Sequence, residues 1–406
     1  MRALVMKFGG TSVATSSHLR RVAKRIIQTR RRGLHPVVVV SARGDTTDRL
    51  LRVASQVAAR PRGRELDVLL STGEQEAMAL LAMAIQDMGW DAVSLTGAQG
   101  GILTDENHTR ARIISVRPDR IRAEIGAGRI PIVAGFQGVN GYQDITTLGR
   151  GGSDTTAVAL AAALGLGLCE IYTDVEGVFT ADPRVVPKAQ LIPRISYHEM
   201  LELAGRGARV VHLRAVEIAK KYQVRIHVRS SFTEGEGTYI EEVGEVEKGR
   251  VVTGIAHEEK VAKVTITGVP DRPGVAATLF QALGQRGVVA GMIVQSAPRG
   301  GVNDITFTVA VDQSEEALEV TKEVAAELGA AGCFVEGDVA RVSIVGAGML
   351  GHPGVAGAMF GALGRAGINI QLISTSDISI SCAVARSDLG RALEVLHRQF
   401  ELEREA

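Results

Sequence analysis

The segment Leu4-Val-Met-Lys-Phe-Gly-Gly-Thr-Ser12 places a glycine turn between a short apolar run and the amphipathic stretch at residues 18–30. This order is typical of a buried strand whose carboxyl end opens into a loop before a helix. Adjacent glycines let backbone N–H groups approach an anion closely, a helix start adds positive potential, and Lys7 adds positive charge. An ordinary Gly-Gly turn would have a similar sequence, so this segment predicts an anion site only in combination with two further loops.

Apolar runs and amphipathic stretches alternate in the same way over roughly the first 230 residues. Apolar runs without strict alternation, separated by helices, indicate a largely parallel sheet covered on both faces. Ligands of such sheets bind at the carboxyl ends of the strands. The predicted strands span residues 4–7, 37–41, 92–95, 130–135, 170–173 and 225–228, and the predicted helices span residues 18–30, 75–88, 154–163 and 198–203.

Two more polar loops follow predicted strands. The first is Thr147-Leu-Gly-Arg-Gly-Gly-Ser-Asp-Thr-Thr156, and the second is Tyr172-Thr-Asp-Val-Glu-Gly-Val-Phe-Thr-Ala-Asp-Pro-Arg184. A helix N-cap would explain Ser or Asp in the first loop, and a turn-rich connection would explain the second. The N-cap reading does not explain Arg150 between glycines, where its planar guanidinium suits a carboxylate or a phosphate. Three such loops together predict a binding site for anions.

The last third of the chain repeats itself. Val264-Thr-Ile-Thr-Gly268 and Pro273-Gly-Val-Ala276 return as Val342-Ser-Ile-Val-Gly346 and Pro353-Gly-Val-Ala356, with offsets of 78 and 80 residues. Each copy reads strand, helix, strand, strand, helix, which is the order of a ferredoxin-like βαββαβ unit. Two copies indicate two small domains rather than a solenoid.

The second copy also contains Gly346-Ala-Gly-Met-Leu-Gly351, which matches a dinucleotide-binding pattern, with Asp377 further on. The equivalent turn of the first copy lacks these glycines, and a unit of about 60 residues lacks the second half of a dinucleotide fold. We therefore interpret the pattern as a structural turn.

Composition narrows the choice of partners. Lys and Arg (46) balance Asp and Glu (45), which disfavours a nucleic-acid partner. We expect neither a membrane span nor a signal peptide, because no apolar run reaches about 18 residues and Lys7 comes early. Cys169, Cys333 and Cys382 lie too far apart for a metal motif. These features predict a cytoplasmic protein.

The chain resembles the aspartate kinase family over essentially residues 1–402. The resemblance implies an αβα sandwich amino-acid-kinase domain with a mainly parallel sheet at residues 1–233, and a linker or edge segment at residues 234–260. Two ferredoxin-like ACT units would follow at residues 261–335 and 339–402. The matching segments are Lys7-Phe-Gly-Gly-Thr-Ser12, Ser41-Ala-Arg-Gly-Asp-Thr-Thr-Asp48, Ser71-Thr-Gly-Glu74, Ala134-Gly-Phe-Gln-Gly138, Thr146-Thr-Leu-Gly-Arg-Gly-Gly-Ser-Asp-Thr-Thr156, Ile171-Tyr-Thr-Asp174 and Val228-Arg-Ser-Ser-Phe232.

The resemblance implies transfer of the γ-phosphoryl group of ATP, with Mg²⁺, to the side-chain carboxylate of L-aspartate. That carboxylate has a pKa of ~3.9 and is ionised at neutral pH, so the reaction needs no general base. The difficulty is electrostatic, because an anion must approach a polyanion, and the site should supply cations and N–H donors.

The resemblance also assigns roles to residues. Lys7 would stabilise the transferring phosphoryl group, and Asp154 would orient Lys7. Glu74, expected at the start of a helix, would hold the α-ammonium group of aspartate, and Arg150 its α-carboxylate. The further aspartate contacts would be Ser41, Thr47, Gly151, Gly152 and Ser153. The ATP contacts would be Lys7, Phe8, Gly9, Gly10, Thr173, Asp174, Phe179, Asp182, Arg184 and Arg209. We assign no metal ligand to the protein, and we expect His18, His35, His108, His198, His212 and His227 to be surface or core residues.

Family members commonly carry the ACT effector residue Asn at the second strand of each unit. Asn369 stands there in unit two, whereas Val289 and Gly291 replace the usual Asn and Asp in unit one. We expect an altered pocket for the usual inhibitors lysine and threonine. The remaining effector contacts would be Asp271, Gln295, Asn369, Ile370, Thr375 and Ser376. The resemblance further implies a homodimer through ACT units, or an α₂β₂ assembly with a tail-only β subunit.

The first domain departs from the residues usual in the family at four positions, although no departure removes a predicted catalytic group. These positions are Arg43, Ala14, Arg209 and Leu213.

Three alternative functions stay open from the sequence. The first domain also suits a kinase acting on glutamate or N-acetylglutamate, or a nucleotide kinase, although those generally lack two ACT units. An amino-acid sensor with a degenerate kinase domain is a third reading, which Lys7, Glu74, Arg150 and Asp154 disfavour.

Overall fold

The computed structural model describes residues 2–243 and 250–404, which divide into two compact units. Within that range, unit 1 holds residues 2–178, 191–204 and 209–243, and unit 2 holds residues 179–190, 205–208 and 250–404. Of the predicted linker at residues 234–260, positions 244–249 lie outside the described residues.

Unit 1 is built on an eight-stranded sheet with the order β10-β12-β11-β9-β1-β2-β6-β3. Its neighbours are parallel except β11 and β12. The strands are β1 (Ala3–Phe8), β2 (His35–Val40), β3 (Ala92–Leu95), β4 (Ile102–Thr104), β5 (Ile113–Val116), β6 (Ile130–Ala134), β7 (Gln137–Val139), β8 (Ile145–Thr147), β9 (Leu168–Thr173), β10 (Arg194–Ser196), β11 (Arg225–Ser230) and β12 (Thr238–Glu241).

Helices cover both faces of this sheet. The core on one face joins Met6 and Phe8 of β1 to α1 and α3, and α5 covers β1 from the other face. The helices are α1 (Ser16–Arg31), α2 (Thr46–Val57), α3 (Arg64–Asp87), α4 (Asp119–Gly126), α5 (Gly152–Ala163), α6 (Tyr197–Gly205) and α7 (Leu213–Tyr222). The predicted mainly parallel αβα architecture is confirmed.

All six predicted strands of the large sheet are present, and β3 has the predicted bounds. The small sheet, with the order β5-β4-β7-β8, was not predicted because its strands are only three or four residues long. The predicted helix at residues 75–88 is wrong at its start, because α3 begins at Arg64. Ser71-Thr-Gly73 resembles a turn in sequence, yet Ser71 and Gly73 are buried inside this helix.

The long helix α3 has the length and apolar composition of a membrane span. Half of its apolar window is buried inside the protein, where α3 contributes Ala77, Leu81 and Ile85 to the core. These features are those of the core helix of a globular domain.

Unit 2 contains one antiparallel sheet with the order β14-β15-β13-β16-β18-β17. Its elements are β13 (Gly254–Pro270), α8 (Val275–Gln285), β14 (Ile293–Gln295), β15 (Val302–Ala310), α9 (Ser314–Leu328), β16 (Gly332–Val345), α10 (Val355–Arg365), β17 (Leu372–Ser376), β18 (Ser379–Ala385) and α11 (Leu389–Gln399). Both copies of the repeat therefore have the predicted element order.

Repeat 2 takes its last strand from the segment that precedes repeat 1, whereas repeat 1 supplies its own. Residues 332–336 of β16 pair with the first strand of repeat 1, and residues 254–258 of β13 pair with the first strand of repeat 2. These two last-strand segments are 78 residues apart, which is the offset of the repeat at this point. Residues 254–258 lie in the predicted linker and complete the second βαββαβ unit.

The glycine pattern at residues 346–351 serves packing. A Cβ atom on Gly346 would lie 2.3 Å from the Val251 carbonyl oxygen, and one on Gly348 would lie 2.9 Å from the Arg250 carbonyl oxygen. Backbone at residues 250–252 therefore occupies the space beside these glycines, which explains the motif without a nucleotide.

We predict that Ile255→Ala lowers the free energy of unfolding of unit 2 by about 2–5 kcal/mol, because Ile255 is buried in the core of repeat 2. Lys260→Ala, at an exposed position of the same strand, is the control and should change it by less than about 0.5 kcal/mol. Urea denaturation measures both. Equal effects would contradict the assignment of residues 254–258 to the core.

Candidate active site

A buried ion pair lies at the carboxyl end of β1. Lys7 Nζ is 2.6 Å from Oδ1 of Asp154, which stands in the first turn of α5, and both side chains are about nine-tenths buried. The backbone N–H of His212 donates to the other carboxylate oxygen, Oδ2, at 3.3 Å. Because each buried charge needs the other, the ammonium group of Lys7 is held at one position.

Three loops meet around Lys7. Gly9 N–H donates to the carbonyl oxygen of Tyr172 at 3.0 Å, which joins the glycine turn to the carboxyl end of β9, where the third loop begins. Gly44 N–H donates to the carbonyl oxygen of Gly10 at 3.0 Å, which joins the same turn to the loop after β2. Lys7 Nζ lies 3.6 Å from the place where a Cβ of Gly9 would stand, so the ammonium group lies beside the turn.

A buried carboxylate lies next to this meeting point. Glu74, in the middle of α3 rather than in its first turn as expected, accepts the backbone N–H of Ala42 on Oε1 at 3.0 Å. Its Oε2 is buried and has no hydrogen-bond partner. Burial raises the pKa of Glu74 to about 8, although the Ala42 hydrogen bond acts in the opposite direction. An orphaned carboxylate oxygen of this kind suits a cationic ligand.

Two serines connect Glu74 to the ion pair. Ser41, adjacent to Ala42, has its Oγ 2.7 Å from the Oγ of Ser153, and Ser153 precedes Asp154 in the chain. A line of polar groups therefore runs from Glu74 through Ser41 and Ser153 to Asp154 and Lys7.

The glycine loop before α5 packs under His212. Gly151 has a φ of +68°, and a Cβ there would lie 2.0 Å from Cγ of His212. Only glycine fits this position. Arg150, immediately before it, is exposed and has no ion-pair partner among residues 2–243 and 250–404. Its guanidinium group is available to an anion.

The other predicted aspartate and phosphate contacts lie at the same sheet edge. Thr47 is half-buried in the first turn of α2, and Gly152 begins α5. The Phe8 ring is buried and stacks on Tyr172 with ring centroids 4.8 Å apart, so Phe8 can offer a ligand only its backbone.

The predicted nucleotide contacts fall into two groups. Thr173 ends β9 and Asp174 follows it in unit 1, where Thr173 Oγ1 donates to Asp174 Oδ1 at 3.1 Å, and Arg209 is exposed in the same unit. Phe179, Asp182 and Arg184 belong to unit 2. There the Arg184 guanidinium is 2.7 Å from Asp182 and holds the pKa of that carboxyl below its usual range.

The predicted effector residues lie in unit 2. Asn303 Nδ2 donates to Asp271 Oδ1 at 3.2 Å, and Ser376 Oγ is 2.8 Å from Ser379 Oγ. Gln295 lies on β14, and Thr375 and Ser376 on β17, the two outer strands of the sheet order. Asn369 is exposed and Ile370 half-buried in the segment before β17.

Sequence reasoning missed three residues near the site. His212 was expected to be an ordinary surface or core residue, yet it covers Gly151 and binds Asp154. Phe136 has a φ of +68°, unusual for a residue with a side chain, and its carbonyl oxygen accepts the N–H of Leu148 at 2.8 Å. Asp67 is fully buried behind the loop that carries Arg150. Phe136 lies in a quoted motif, whereas no sequence signal singled out His212 or Asp67.

Known proteins resemble this chain over its whole length. The profile of the amino acid kinase family matches residues 2–230, and the ACT domain profile matches residues 264–324 and 342–400. An aspartokinase of Mycolicibacterium smegmatis is 48% identical over 409 residues, which cover 99% of this chain and 97% of the relative. An aspartokinase of Pseudomonas aeruginosa is 49% identical over 405 residues, with 99% and 98% covered.

Solved structures of aspartate kinases also resemble this chain. The aspartate kinase from Synechocystis has 45% sequence identity and a TM-score of 0.55, with 98% of this chain and 69% of that chain covered. Aspartokinase III of E. coli, in complex with aspartate and ADP, has 24% identity, a TM-score of 0.82 and coverage of 99% and 100%, and so has the same fold.

We predict that Glu74→Gln stabilises the ligand-free protein increasingly as the pH rises. Glu74 binds its proton more tightly in the folded chain, so the stability due to its neutral form is complete below pH 4.5 and is lost as the pH approaches about 8. Glutamine keeps the neutral form. At about 1.4 kcal/mol per pKa unit, the advantage should grow towards roughly 4 kcal/mol, as measured by urea denaturation across this pH range.

Glu76→Gln is the matched control. Glu76 lies two residues further along α3, is half-exposed and pairs with Arg43 at 2.8 Å. Its substitution should give no growing advantage. Parallel pH profiles for the two variants would show that burial of Glu74 has no such cost.

Proposed function

The chain belongs to the aspartokinases within the amino acid kinase family, and we propose that the site around Lys7 phosphorylates L-aspartate. The reaction converts ATP and L-aspartate into ADP and 4-phospho-L-aspartate. The observation that carries the assignment is the unpartnered, buried Oε2 of Glu74, connected through Ser41 and Ser153 to the Lys7–Asp154 ion pair. It offers an ammonium partner close to a fixed cation.

In this proposal the aspartate lies along that polar line. Its α-ammonium group binds Glu74, and this contact favours the ionised carboxylate that burial otherwise disfavours. Its α-carboxylate binds the exposed Arg150, because a guanidinium group can hold a carboxylate with two parallel hydrogen bonds. Ser41, Thr47 and Ser153, with the backbone of Gly151 and Gly152, provide the remaining donors. The side-chain carboxylate then points towards Lys7.

The charges of the substrates and of the site explain how the phosphoryl transfer proceeds. The side-chain carboxylate attacks the γ-phosphorus, and the bond to the β,γ-bridging oxygen breaks as ADP leaves with that electron pair. Lys7 Nζ stabilises the charge on the transferring phosphoryl oxygens, and Asp154 keeps Nζ in place at 2.6 Å. No side chain has to remove a proton, since the nucleophile is already ionised.

ATP would lie against the glycine turn, with backbone groups of Phe8, Gly9 and Gly10 at its phosphates and Thr173 and Asp174 near its nucleoside. The resemblance adds Phe179, Asp182, Arg184 and Arg209. Among the described residues there is no cluster of three side chains suited to a metal ion. Mg²⁺ commonly uses substrate phosphates and one or two carboxylates, so we propose that it enters with ATP and neutralises phosphate charge.

We further propose a cytoplasmic enzyme for the first step of lysine, threonine and methionine biosynthesis, and of diaminopimelate formation. Lysine, threonine or both would act on the ACT repeats, and the assembly would be a homodimer through those repeats or α₂β₂.

In repeat 1 the effector position is altered: a Cβ on Gly291 would lie 2.6 Å from Thr308 Oγ1, which accepts the N–H of Met292. A polar side chain at Gly291 would therefore displace Thr308. We expect weak inhibition, and a titration showing ordinary potency for both amino acids would contradict this expectation.

Acyl phosphate trapping tests the activity. The protein is incubated with Mg·ATP, hydroxylamine and aspartate, glutamate or UMP in turn, and ADP and hydroxamate are measured. We expect aspartyl hydroxamate in amounts equal to ADP with aspartate, and none with UMP, which lacks the α-amino-acid group that Glu74 and Arg150 recognise. ADP formation with glutamate or UMP, and none with aspartate, would contradict the proposal.

Two substitutions should separate binding from chemistry. Lys7→Ala should lower kcat by about 10³-fold or more with measurable aspartate binding, because Lys7 acts on transition-state charge. Arg150→Ala should raise the KM for aspartate at least about tenfold, because it removes a charged contact to substrate. Arg120→Ala, an exposed arginine on α4, is the control. Steady-state kinetics measure all three, and identical effects of the first two would contradict these roles.

A further inference from the structure

Asp67 is a buried carboxylate that the proposed chemistry does not use. It lies in the first turn of α3, is fully buried, and has no lysine or arginine partner among the described residues. Its Oδ1 accepts the hydroxyl of Thr147 at 2.5 Å, and its Oδ2 lies 2.7 Å from Nδ1 of His108. Both oxygens are 3.0 Å from the backbone N of Thr109. Burial of a carboxylate is costly, so the hydrogen bonds to Asp67 must offset the loss of water around it.

The groups that bind Asp67 belong to two loops that lie against each other. Thr147 is the last residue of β8 and precedes Leu148-Gly149-Arg150. Thr109 belongs to the loop between β4 and β5 and has a φ of +67°, a strained conformation for a residue with a side chain. The Thr109 carbonyl oxygen is 3.0 Å from the place where a Cβ of Gly149 would stand. Asp67 therefore fixes the strained loop against the one that carries Arg150.

Further hydrogen bonds join the same two loops. The N–H of Ala111 donates to the carbonyl oxygen of Thr147 at 2.9 Å. The guanidinium group of Arg214 donates to the carbonyl oxygens of Leu148 at 2.6 Å and Ala111 at 2.8 Å. Arg150 thus extends from a segment held on one side by Asp67 and on the other by Arg214.

Asp67 and Glu74 are on the same helix, seven residues apart. Seven residues are close to two turns, or about 10.5 Å along the axis, so both side chains are on similar sides of α3. Glu74 is the proposed partner of the α-ammonium group, and Asp67 holds the loop of the proposed partner of the α-carboxylate. One rigid helix therefore sets the distance between the two groups that recognise an amino acid.

We propose that Asp67 is a positioning residue for aspartate binding, which holds the Arg150 loop at a fixed distance from Glu74. This inference rests on the proposed function, because it assumes that Arg150 binds the α-carboxylate. Asp67 itself contacts neither substrate. Its loss should weaken aspartate binding through Arg150 and leave phosphoryl transfer from bound substrates unchanged.

The test is a double-mutant cycle on the full chain. Asp67→Asn should raise the KM for aspartate by about tenfold or more, with kcat and the KM for ATP within about twofold, because Arg150 is displaced while Lys7 is not. In an Arg150→Ala background the same substitution should have little further effect, since the group that it positions is absent. Aspartic acid α-amide, which lacks the α-carboxylate charge, should likewise show no added penalty with Asp67→Asn.

Glu199→Gln is the matched control, because Glu199 is also a fully buried first-turn acid in unit 1, on α6, and accepts the Ser196 hydroxyl at 2.6 Å. It should lower stability and leave the KM for aspartate unchanged. Thr147→Val removes one hydrogen bond at constant shape and should give a smaller rise in that KM, which keeps the test valid if Asp67→Asn does not fold.

An equal fall of kcat and kcat/KM in Asp67→Asn, or additive effects of Asp67→Asn and Arg150→Ala, would overturn the inference. A wild-type chain that forms no aspartyl hydroxamate would instead overturn the proposed function. A wild-type chain that forms it, with an unchanged KM in both Asp67→Asn and Thr147→Val, would overturn the positioning role alone.

Discussion

The active-site half of the structure depends on the buried ion pair between Lys7 and Asp154. A lysine at the end of the central strand β1 is almost fully removed from water, which is tolerable only because a carboxylate from α5 lies 2.6 Å away. The pair therefore requires α5 to begin directly opposite the end of β1. That requirement explains the glycines before α5, since Gly151 must pass under His212 for Asp154 to reach Lys7.

Three buried acids around this pair have different surroundings, and the differences separate their roles. Asp154 has a lysine partner, Asp67 has hydrogen-bond donors on both oxygens, and Glu74 has one donor and one orphaned oxygen. Burial raises the pKa of Glu74 to about 8, and its Oε2, which has neither a hydrogen-bond donor nor a cation beside it, is an unsatisfied acceptor for a ligand. A buried carboxylate that lowers the stability of the ligand-free protein is a common feature of binding sites, because the bound ligand provides the missing interaction.

The sequence predicted the central sheet well because parallel strands buried on both faces are continuous apolar runs. It predicted the element order of both repeats because the repeat provides two readings of one pattern. It failed at α3, where Gly73 inside the helix resembles a turn, and at the small sheet, whose strands are too short for a period to show. Within the site, charged residues in glycine loops were found from sequence. His212 and Asp67 were not, because their roles arise from contacts between segments far apart in the chain.

The segment that completes repeat 2 also contacts one of the predicted nucleotide segments. Residues 179–190 fold within unit 2, where the N–H of Ile255 donates to the carbonyl oxygen of Thr180 at 2.7 Å. The hydroxyl of Thr180 lies 2.9 Å from Nε2 of the buried His397 on α11. Ile255 belongs to the part of β13 that completes repeat 2, and α11 is the last helix of that repeat. The segment that contains Asp182 and Arg184 is therefore hydrogen-bonded to two elements of repeat 2, and because closely packed elements transmit strain, we expect a shift of either element to reach this segment.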